Sequence, residues 1–258
     1  RYAEGSGLPN QTINAITRDA RGYWWFGTED GLVRFDGHQF VEADLAFADA
    51  PIDTHVVALA ATPGGVFAAT RSRLVHVDPG SLATTRIRSG QGDIGGVLAV
   101  AADAAGRMHA GTRDGVLWRL PPDFGGAAVA LALDGPVRPT GITAMDLDGP
   151  QGWLASIEGV WRLDLTSGRV EPFRYDLPAL DGGARHVRGL LADGDTLWIG
   201  YWNDGLVRVD TARGAVRWFH PAQPGAGALR ATSVPVLALA DGRLYAGTNR
   251  GLVVHEPA

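Results

Sequence analysis

Short runs of apolar and β-branched residues follow one another along the chain, separated by turns rich in Gly, Asp, Asn and Pro. No window keeps apolar residues at the 3.6-residue spacing of a helix for three turns, which argues against a helical architecture. In the N-terminal part the runs predict four strands, at 12–18, 23–28, 32–35 and 39–42. The turns 19–22 and 29–31 both end in glycine, which readily adopts the positive φ of a tight hairpin. The pattern therefore predicts an all-β protein built from antiparallel hairpins.

This four-strand unit recurs along the chain. Versions of one phrase begin at six positions, Gly27, Ala69, Gly111, Ala155, Gly200 and Gly247. The successive starts lie 42, 42, 44, 45 and 47 residues apart, a period typical of β-propellers when the units are short strands. We predict a single propeller domain spanning 1–258. Its four-stranded blades are expected at 11–47, 54–90, 95–133, 140–176, 186–220 and 233–258, the last completed by residues 1–4.

Two aligned columns have a geometric explanation in such a fold. The first strands share a small residue, at Ala15, Ala58, Ala99, Ala144 and Gly189. The second strands share a large residue, at Trp25, Phe67, His109, Trp153, Trp198 and Tyr245. Blades converge on the propeller axis, so inner strands accept only small residues, and bulky side chains fill the wider space farther out. We therefore interpret His109 as a core residue and His76, on a third strand, as a solvated one.

The sixth unit stops after its third strand, and residues 1–3 resemble the end of a fourth strand. We expect the N-terminus to supply the missing outer strand and to close a six-bladed ring, which removes exposed sheet edges. The alternative is part of a seven-bladed ring whose last blade lies outside these residues. Because the chain begins with Arg rather than Met, we interpret it as a piece of a longer protein.

Composition narrows the function classes. The net charge is −5 and no basic patch is evident, so we expect no nucleic-acid partner. The absence of cysteine excludes disulfides, thiolate metal sites and cysteine nucleophiles. No apolar run approaches the roughly 18 residues of a membrane span, so any membrane contact is expected through regions outside this chain.

Two phrases of the first unit are distinctive, Gly7-Leu-Pro-Asn-Gln-Thr-Ile-Asn-Ala-Ile16 and Asp19-Ala-Arg-Gly-Tyr-Trp-Trp-Phe-Gly-Thr-Glu-Asp-Gly-Leu-Val-Arg-Phe-Asp-Gly37. Both resemble the two-component regulator propeller repeat, and the fifth unit resembles it at 197–200 and 205–210. The resemblance implies the periplasmic sensor region of a bacterial membrane receptor whose output module is a histidine kinase or a diguanylate cyclase. It also implies a small-molecule ligand, which in the gut-bacterial branch of the family is an oligosaccharide, and a homodimeric parent receptor.

No sequence motif indicates catalysis, a metal site or a cofactor. The seven histidines show no His-x-His or His-x-x-x-His spacing. Acidic residues such as Asp30, Asp114 and Glu158 recur in equivalent turns, where carboxylates accept backbone hydrogen bonds. We therefore predict that the chain is not itself an enzyme, with a glycan-active propeller enzyme as the remaining catalytic alternative.

Ligand-binding candidates come from positions that break the repeat. The fifth unit replaces the usual Thr with Tyr201 and inserts a residue, so that Trp202 and Asn203 follow in the turn. The aromatic pair could stack on a flat ligand such as a sugar, form a docking patch for a second subunit, or simply pack between blades. Further candidates lie in turns and connections expected on the same face. These are His55, His186, Arg113, Asn249 and Arg250.

Two functions of different classes follow from the sequence. The first is an extracytoplasmic domain that senses a small ligand on its loop face. The second is an interaction scaffold that holds a receptor dimer together while the ligand binds elsewhere. A pocket near Trp202 would favour the first, and a flat apolar loop face the second.

Overall fold

The structure is a computed structural model that describes residues 7–10, 12–147, 149, 151–176, 186–221, 229–240 and 242–255. The chain divides into two compact units, Arg1–Leu131 and Ala132–Ala258. All regular secondary structure among the described residues is β-strand, which confirms the predicted all-β class. Within that part of the chain, no helix has the length and apolarity that a membrane crossing requires.

Unit 1 opens with a four-stranded antiparallel sheet in the order β1-β2-β3-β4. The strands are β1 (Ile13–Arg18), β2 (Trp24–Thr28), β3 (Leu32–Phe35) and β4 (Phe40–Ala43). The predicted bounds differ from these by at most one residue at either end. The alternation of apolar runs with glycine-containing turns was therefore sufficient to locate this sheet.

The rest of unit 1 forms one continuous sheet of nine strands. The strands are β5 (Val56–Thr62), β6 (Gly65–Thr70), β7 (Leu74–Val77), β8 (Thr84–Ser89), β9 (Gly92–Asp93), β10 (Val97–Ala102), β11 (Met108–Thr112), β12 (Leu117–Arg119) and β13 (Ala127–Leu131). Strands β5–β8 and β10–β13 are two four-stranded meanders joined by parallel pairing of β13 with β8, and the short β9 also pairs with β8. The repeat predicts the two meanders but not the pairing between them.

Unit 2 contains three further meanders. The strands are β14 (Ala144–Asp146), β15 (Gly152–Ser156), β16 (Gly159–Leu163), β17 (Val170–Phe173), β18 (Val187–Asp193), β19 (Thr196–Tyr201), β20 (Leu206–Asp210), β21 (Val216–Phe219), β22 (Val236–Ala240), β23 (Arg243–Thr248) and β24 (Gly251–His255). The last sheet has three described strands, as the shortened sixth unit predicts. Residues 1–4, expected to complete it, lie outside the described residues, so ring closure and the number of blades stay predictions.

The large residues of the second-strand column are buried except for Tyr245, which is half-buried. Phe67 packs with strands β10–β13, and Trp198 packs with the last sheet. His109 is only 2% exposed, which confirms its interpretation as a core residue. Bulky second-strand side chains therefore contribute to the packing between neighbouring meanders within each unit.

His76 contradicts its prediction as a solvated residue, because it is only 6% exposed. Its ring stacks on Phe124 at a centroid distance of 3.8 Å, and its Nε2 lies 3.1 Å from the carbonyl oxygen of Gly64. Phe124 belongs to the segment between β12 and β13, in the next repeat. Alignment of equivalent positions could not reveal this cover, since no other repeat has an aromatic residue placed in the same way.

Candidate functional site

The turns between second and third strands share one hydrogen-bond pattern in most repeats. A threonine hydroxyl donates to a backbone carbonyl within the turn, from Thr28 to Gly31, Thr70 to Arg73, Thr112 to Val116 and Thr248 to Gly251, at 2.7–3.2 Å. The carboxylate of Glu158 serves its turn in a related way, accepting from the hydroxyl of Thr140 at 2.6 Å. That bond holds the pKa of Glu158 below its ordinary value. These residues are engaged in building the turns.

Tyr201 replaces the turn threonine in the fifth repeat, and its side chain is only 1% exposed. Its hydroxyl forms a hydrogen bond with the hydroxyl of Tyr175, and its ring belongs to the core between the fourth and fifth repeats. Tyr201 therefore packs between repeats, as the third alternative for the aromatic pair predicts. Of the predicted aromatic pair, only Trp202 faces solvent.

Trp202 is 46% exposed and forms the centre of a small polar and aromatic surface. The guanidinium carbon of Arg188 lies 4.9 Å from the centroid of its ring, within the range of a cation–π contact. The backbone N–H of Trp202 donates to the carbonyl oxygen of His186 at 2.9 Å, and this bond links the turn to the residue just before β18. Asn203 and His186 are exposed beside it. We call these four residues, Trp202, Asn203, His186 and Arg188, the Trp202 surface.

The connection that leads into β22 is hydrogen-bonded to the turns of two sheets. Gly205 N–H donates to Thr232 O at 2.7 Å, and Val234 N–H donates to Tyr201 O at 2.8 Å. Asn249 N–H donates to Ser233 O at 3.2 Å. The connection thus lies between the turn of the fifth repeat and that of the sixth, and it brings all the predicted unit 2 residues to one region.

A cavity of about 650 Å³ adjoins this connection. Its polar lining includes Arg230, Arg250 and His255, and its apolar lining includes Leu229 and Val253. Neither arginine forms an ion pair with a described residue. The pKa of His255 is lowered first by burial and then by Arg217 and Arg208, which do not line the cavity. Trp202 and Asn203 do not line it, so the pocket found here is not the aromatic one anticipated next to Trp202.

The two remaining candidates belong to unit 1. The Nε2 of half-buried His55 lies 3.4 Å from Nδ2 of Asn14, which also donates to Val56 O at 2.9 Å. Arg113 is exposed, and its N–H donates to Gly96 O at 2.8 Å. Each fixes a local connection, and their part in ligand binding stays a prediction.

Sequence reasoning missed Arg188, although a signal for it exists. The pairing of β18 with β19 shifts register between Val187 and Gly189, so Arg188 is the bulged residue. The same irregularity in the first and second repeats places Asn14 and Val57 at that position. Bulges redirect a side chain, and an arginine there in one repeat alone is a departure from the repeat.

The described residues contain no cluster of three or more His, Cys, Asp or Glu side chains suited to a metal ion. Among the turn carboxylates, Asp114 and Glu158 accept hydrogen bonds from hydroxyl groups of nearby threonines. The side chains of the Trp202 surface offer an aromatic face, hydrogen-bonding groups and a positive charge.

Comparison with known proteins identifies the repeat. Residues 7–30 match the model of a family described as two component regulator propeller. This segment is therefore similar to a two component regulator propeller repeat. No curated protein matches the chain significantly.

Solved structures give the same fold over nearly the whole chain. Two are extracellular domains from B. thetaiotaomicron described as belonging to hybrid two component systems, BT4673 (18% identity, TM-score 0.72) and BT3049 (15% identity, TM-score 0.62). Each match covers 98% of this chain but only 33% and 41% of those domains, respectively. A third is virginiamycin B lyase from Staphylococcus aureus, with 14% identity and a TM-score of 0.69 over 97% of this chain and 87% of the lyase. The fold is therefore a β-propeller, and such distant similarity carries no activity with it.

Proposed function

We propose that the chain is the extracytoplasmic, ligand-sensing propeller domain of a bacterial membrane signalling receptor. The repeat family and the similarity to extracellular domains of two component systems support this context. In this proposal the chain is not an enzyme, and a histidine kinase or diguanylate cyclase elsewhere in the parent protein provides the output. The exposed Trp202, at the turn that departs most from the repeat, is the observation that carries the proposal.

The Trp202 surface suits a small ligand with a flat face and several polar groups, such as an oligosaccharide. The indole ring offers a stacking surface, and the Asn203 amide can both donate and accept hydrogen bonds. Arg188, held against the ring, adds a guanidinium that favours ligands carrying a carboxylate. Arg250 and Arg230 in the adjoining cavity extend the positive potential toward a longer ligand.

The test is a thermal-shift screen of the 258-residue chain with neutral oligosaccharides, uronate-containing oligosaccharides and short peptides. A ligand at a hundred times its dissociation constant stabilises the folded state by about 2.7 kcal/mol. We expect Trp202→Ala to weaken binding of the hits about tenfold through the loss of stacking. Arg250→Gln reports separately on the cavity.

Trp24→Ala is the matched control. Trp24 is 43% exposed, and Arg18 lies 5.5 Å from its ring centroid, so the same kind of pair is removed from another strand. Hits should survive this substitution. If Trp202→Ala left every hit unchanged, the Trp202 surface would not be the ligand site. If it instead shifted a monomer–dimer equilibrium in sedimentation, the docking-patch function would replace sensing at this surface.

A further inference from the structure

A second cavity, of about 550 Å³, lies within unit 1 where strands β5–β8 meet strands β10–β13. Its rim is formed by the turns between the first and second strands of both meanders, at 62–64 and 105–107, and by the segment that follows β12. The volume is in the range of small-molecule sites. None of the ligand-binding candidates selected from the sequence lines this cavity.

One wall of the cavity is the aromatic ring of Phe124. The ring lies edge-on to buried Phe67 at 5.5 Å and face-to-face with His76. The backbone of Phe124 has φ +58°, which is rare for a bulky residue, so packing rather than backbone preference holds the ring in place. A Cβ on Gly64 would lie 2.8 Å from the Phe124 ring, so the glycine is needed to admit it.

The charged groups at the cavity carry an excess of positive charge. Arg107 donates from Nε to the carboxylate of Asp103 at 2.8 Å, and the same carboxylate oxygen lies 3.0 Å from Nε2 of buried His109. Arg119 is exposed at the rim and forms no ion pair with any residue that the structure describes. The Asp103 carboxylate is thus already shared by Arg107 and His109, and the guanidinium of Arg119 can bind an incoming anion.

We infer that this cavity binds a small planar ligand that carries a carboxylate, with its ring against Phe124 and its anionic group toward Arg119. Phe67, Met108 and Leu120 supply the apolar floor that such a ring requires. An uncharged ligand would leave the Arg119 charge without a partner, and a compact anion would leave the aromatic wall uncovered. The combination selects aromatic carboxylates over either class alone.

The probe is 2-naphthoate, titrated into the full chain by isothermal calorimetry, with 2-naphthylmethanol as its neutral analogue. We expect 2-naphthoate to bind at least about tenfold more tightly than the alcohol, as one charge-assisted hydrogen bond implies. Arg119→Gln should remove that preference, and Phe124→Gly should weaken both compounds. Arg71→Gln, which removes an exposed arginine outside the cavity lining, is the control and should change nothing.

Equal binding of acid and alcohol, no binding of 2-naphthoate, or an unaltered preference in Arg119→Gln would each overturn the inference. Arg119→Gln changes an exposed side chain, so it decides the matter even if Phe124→Gly fails to fold. The proposed function is tested apart from this one. Trp202→Ala should leave 2-naphthoate binding intact, so failure at one site does not imply failure at the other.

Discussion

At the scale of single residues, His109 shows how one side chain replaces another by keeping a hydrogen bond. In the first repeat, the carboxylate of Asp19 accepts from Trp25 Nε1 at 2.8 Å and from two backbone N–H groups. In the third repeat, Asp103 likewise accepts from two backbone N–H groups and lies 3.0 Å from His109 Nε2. A carboxylate only accepts, so Nε2 carries the proton. The imidazole N–H thus occupies the role of the indole N–H.

We expect Asp103→Asn to lower the free energy of unfolding by about 1–3 kcal/mol, because buried donors would lose their shared acceptor. Urea unfolding followed by tryptophan fluorescence measures this change. Glu29→Gln is the matched control, since Glu29 is an exposed turn carboxylate without a hydrogen bond to any described residue. If both substitutions had the same small effect, the Asp103 network would not stabilise the turn.

At the scale of elements, a small residue lies two positions after the bulky residue in every second strand. In unit 2, Gly200 and Gly247 hold this position, and the space around each glycine depends on how closely neighbouring segments approach the strand. A Cβ on Gly200 in β19 would lie 2.1 Å from the carbonyl oxygen of Val234, in the connection that enters the next sheet. A Cβ on Gly247, the equivalent residue of β23, would meet its nearest neighbour, Val236 Cβ, at an ordinary 3.5 Å. The same column therefore imposes a strict constraint at one position and a weak one at another.

Gly200→Ala should destabilise the protein by about 1–3 kcal/mol through overpacking. Gly247→Ala should be neutral or slightly stabilising, because alanine loses less backbone freedom on folding than glycine. Both changes add one methyl group to a second strand of unit 2. The difference between them therefore reports the effect of the close contact between Gly200 and the connection at Val234. Thermal unfolding of the two variants measures it, and equal effects would show that Val234 can move away without cost.

At the scale of the whole molecule, the sequence predicts what each repeat does locally. Strand β3 has the predicted bounds, and the other strands of the first sheet differ by one residue, because turn glycines and alternating apolar residues act within a few positions. The parallel pairing of β13 with β8 could not be predicted in this way. It depends on where two separate repeats meet, and no local pattern records that.

In the candidate site, too, local departures from the repeat were predictable and contacts with distant segments were not. A departure from the repeat was enough to single out Trp202, which is exposed as a binding residue must be. It could not show that Tyr201 turns inward to Tyr175, since that partner lies 26 residues earlier in the chain. His76 was misjudged for the same reason, because its cover comes from Phe124 in the next repeat. Burial by distant segments is the information that a repeat alignment lacks.

Three histidines with lowered pKa values give the protein a predictable response to acid. Burial is the main reason that the pKa values of His76, His109 and His255 lie below the ordinary 6.5. The folded protein therefore takes up protons on these rings at lower pH than the unfolded chain, whose histidines take up protons as the pH falls through about 6.5. The unfolded state then binds more protons than the folded state, so the free energy of unfolding should decrease as the pH falls from 7 to 5.

His109→Trp tests this response, because it restores the side chain found at the equivalent Trp25 and keeps an N–H donor for Asp103. Removing one titrating group should flatten the decline in unfolding free energy by at most about 1.4 kcal/mol per pH unit. Urea unfolding at pH 7, 6 and 5 measures the slope. His38→Gln, which alters a side chain that is 92% exposed, should leave the slope unchanged. A slope that His109→Trp does not alter would mean that His109 takes up its proton over the same pH range in the folded and unfolded states.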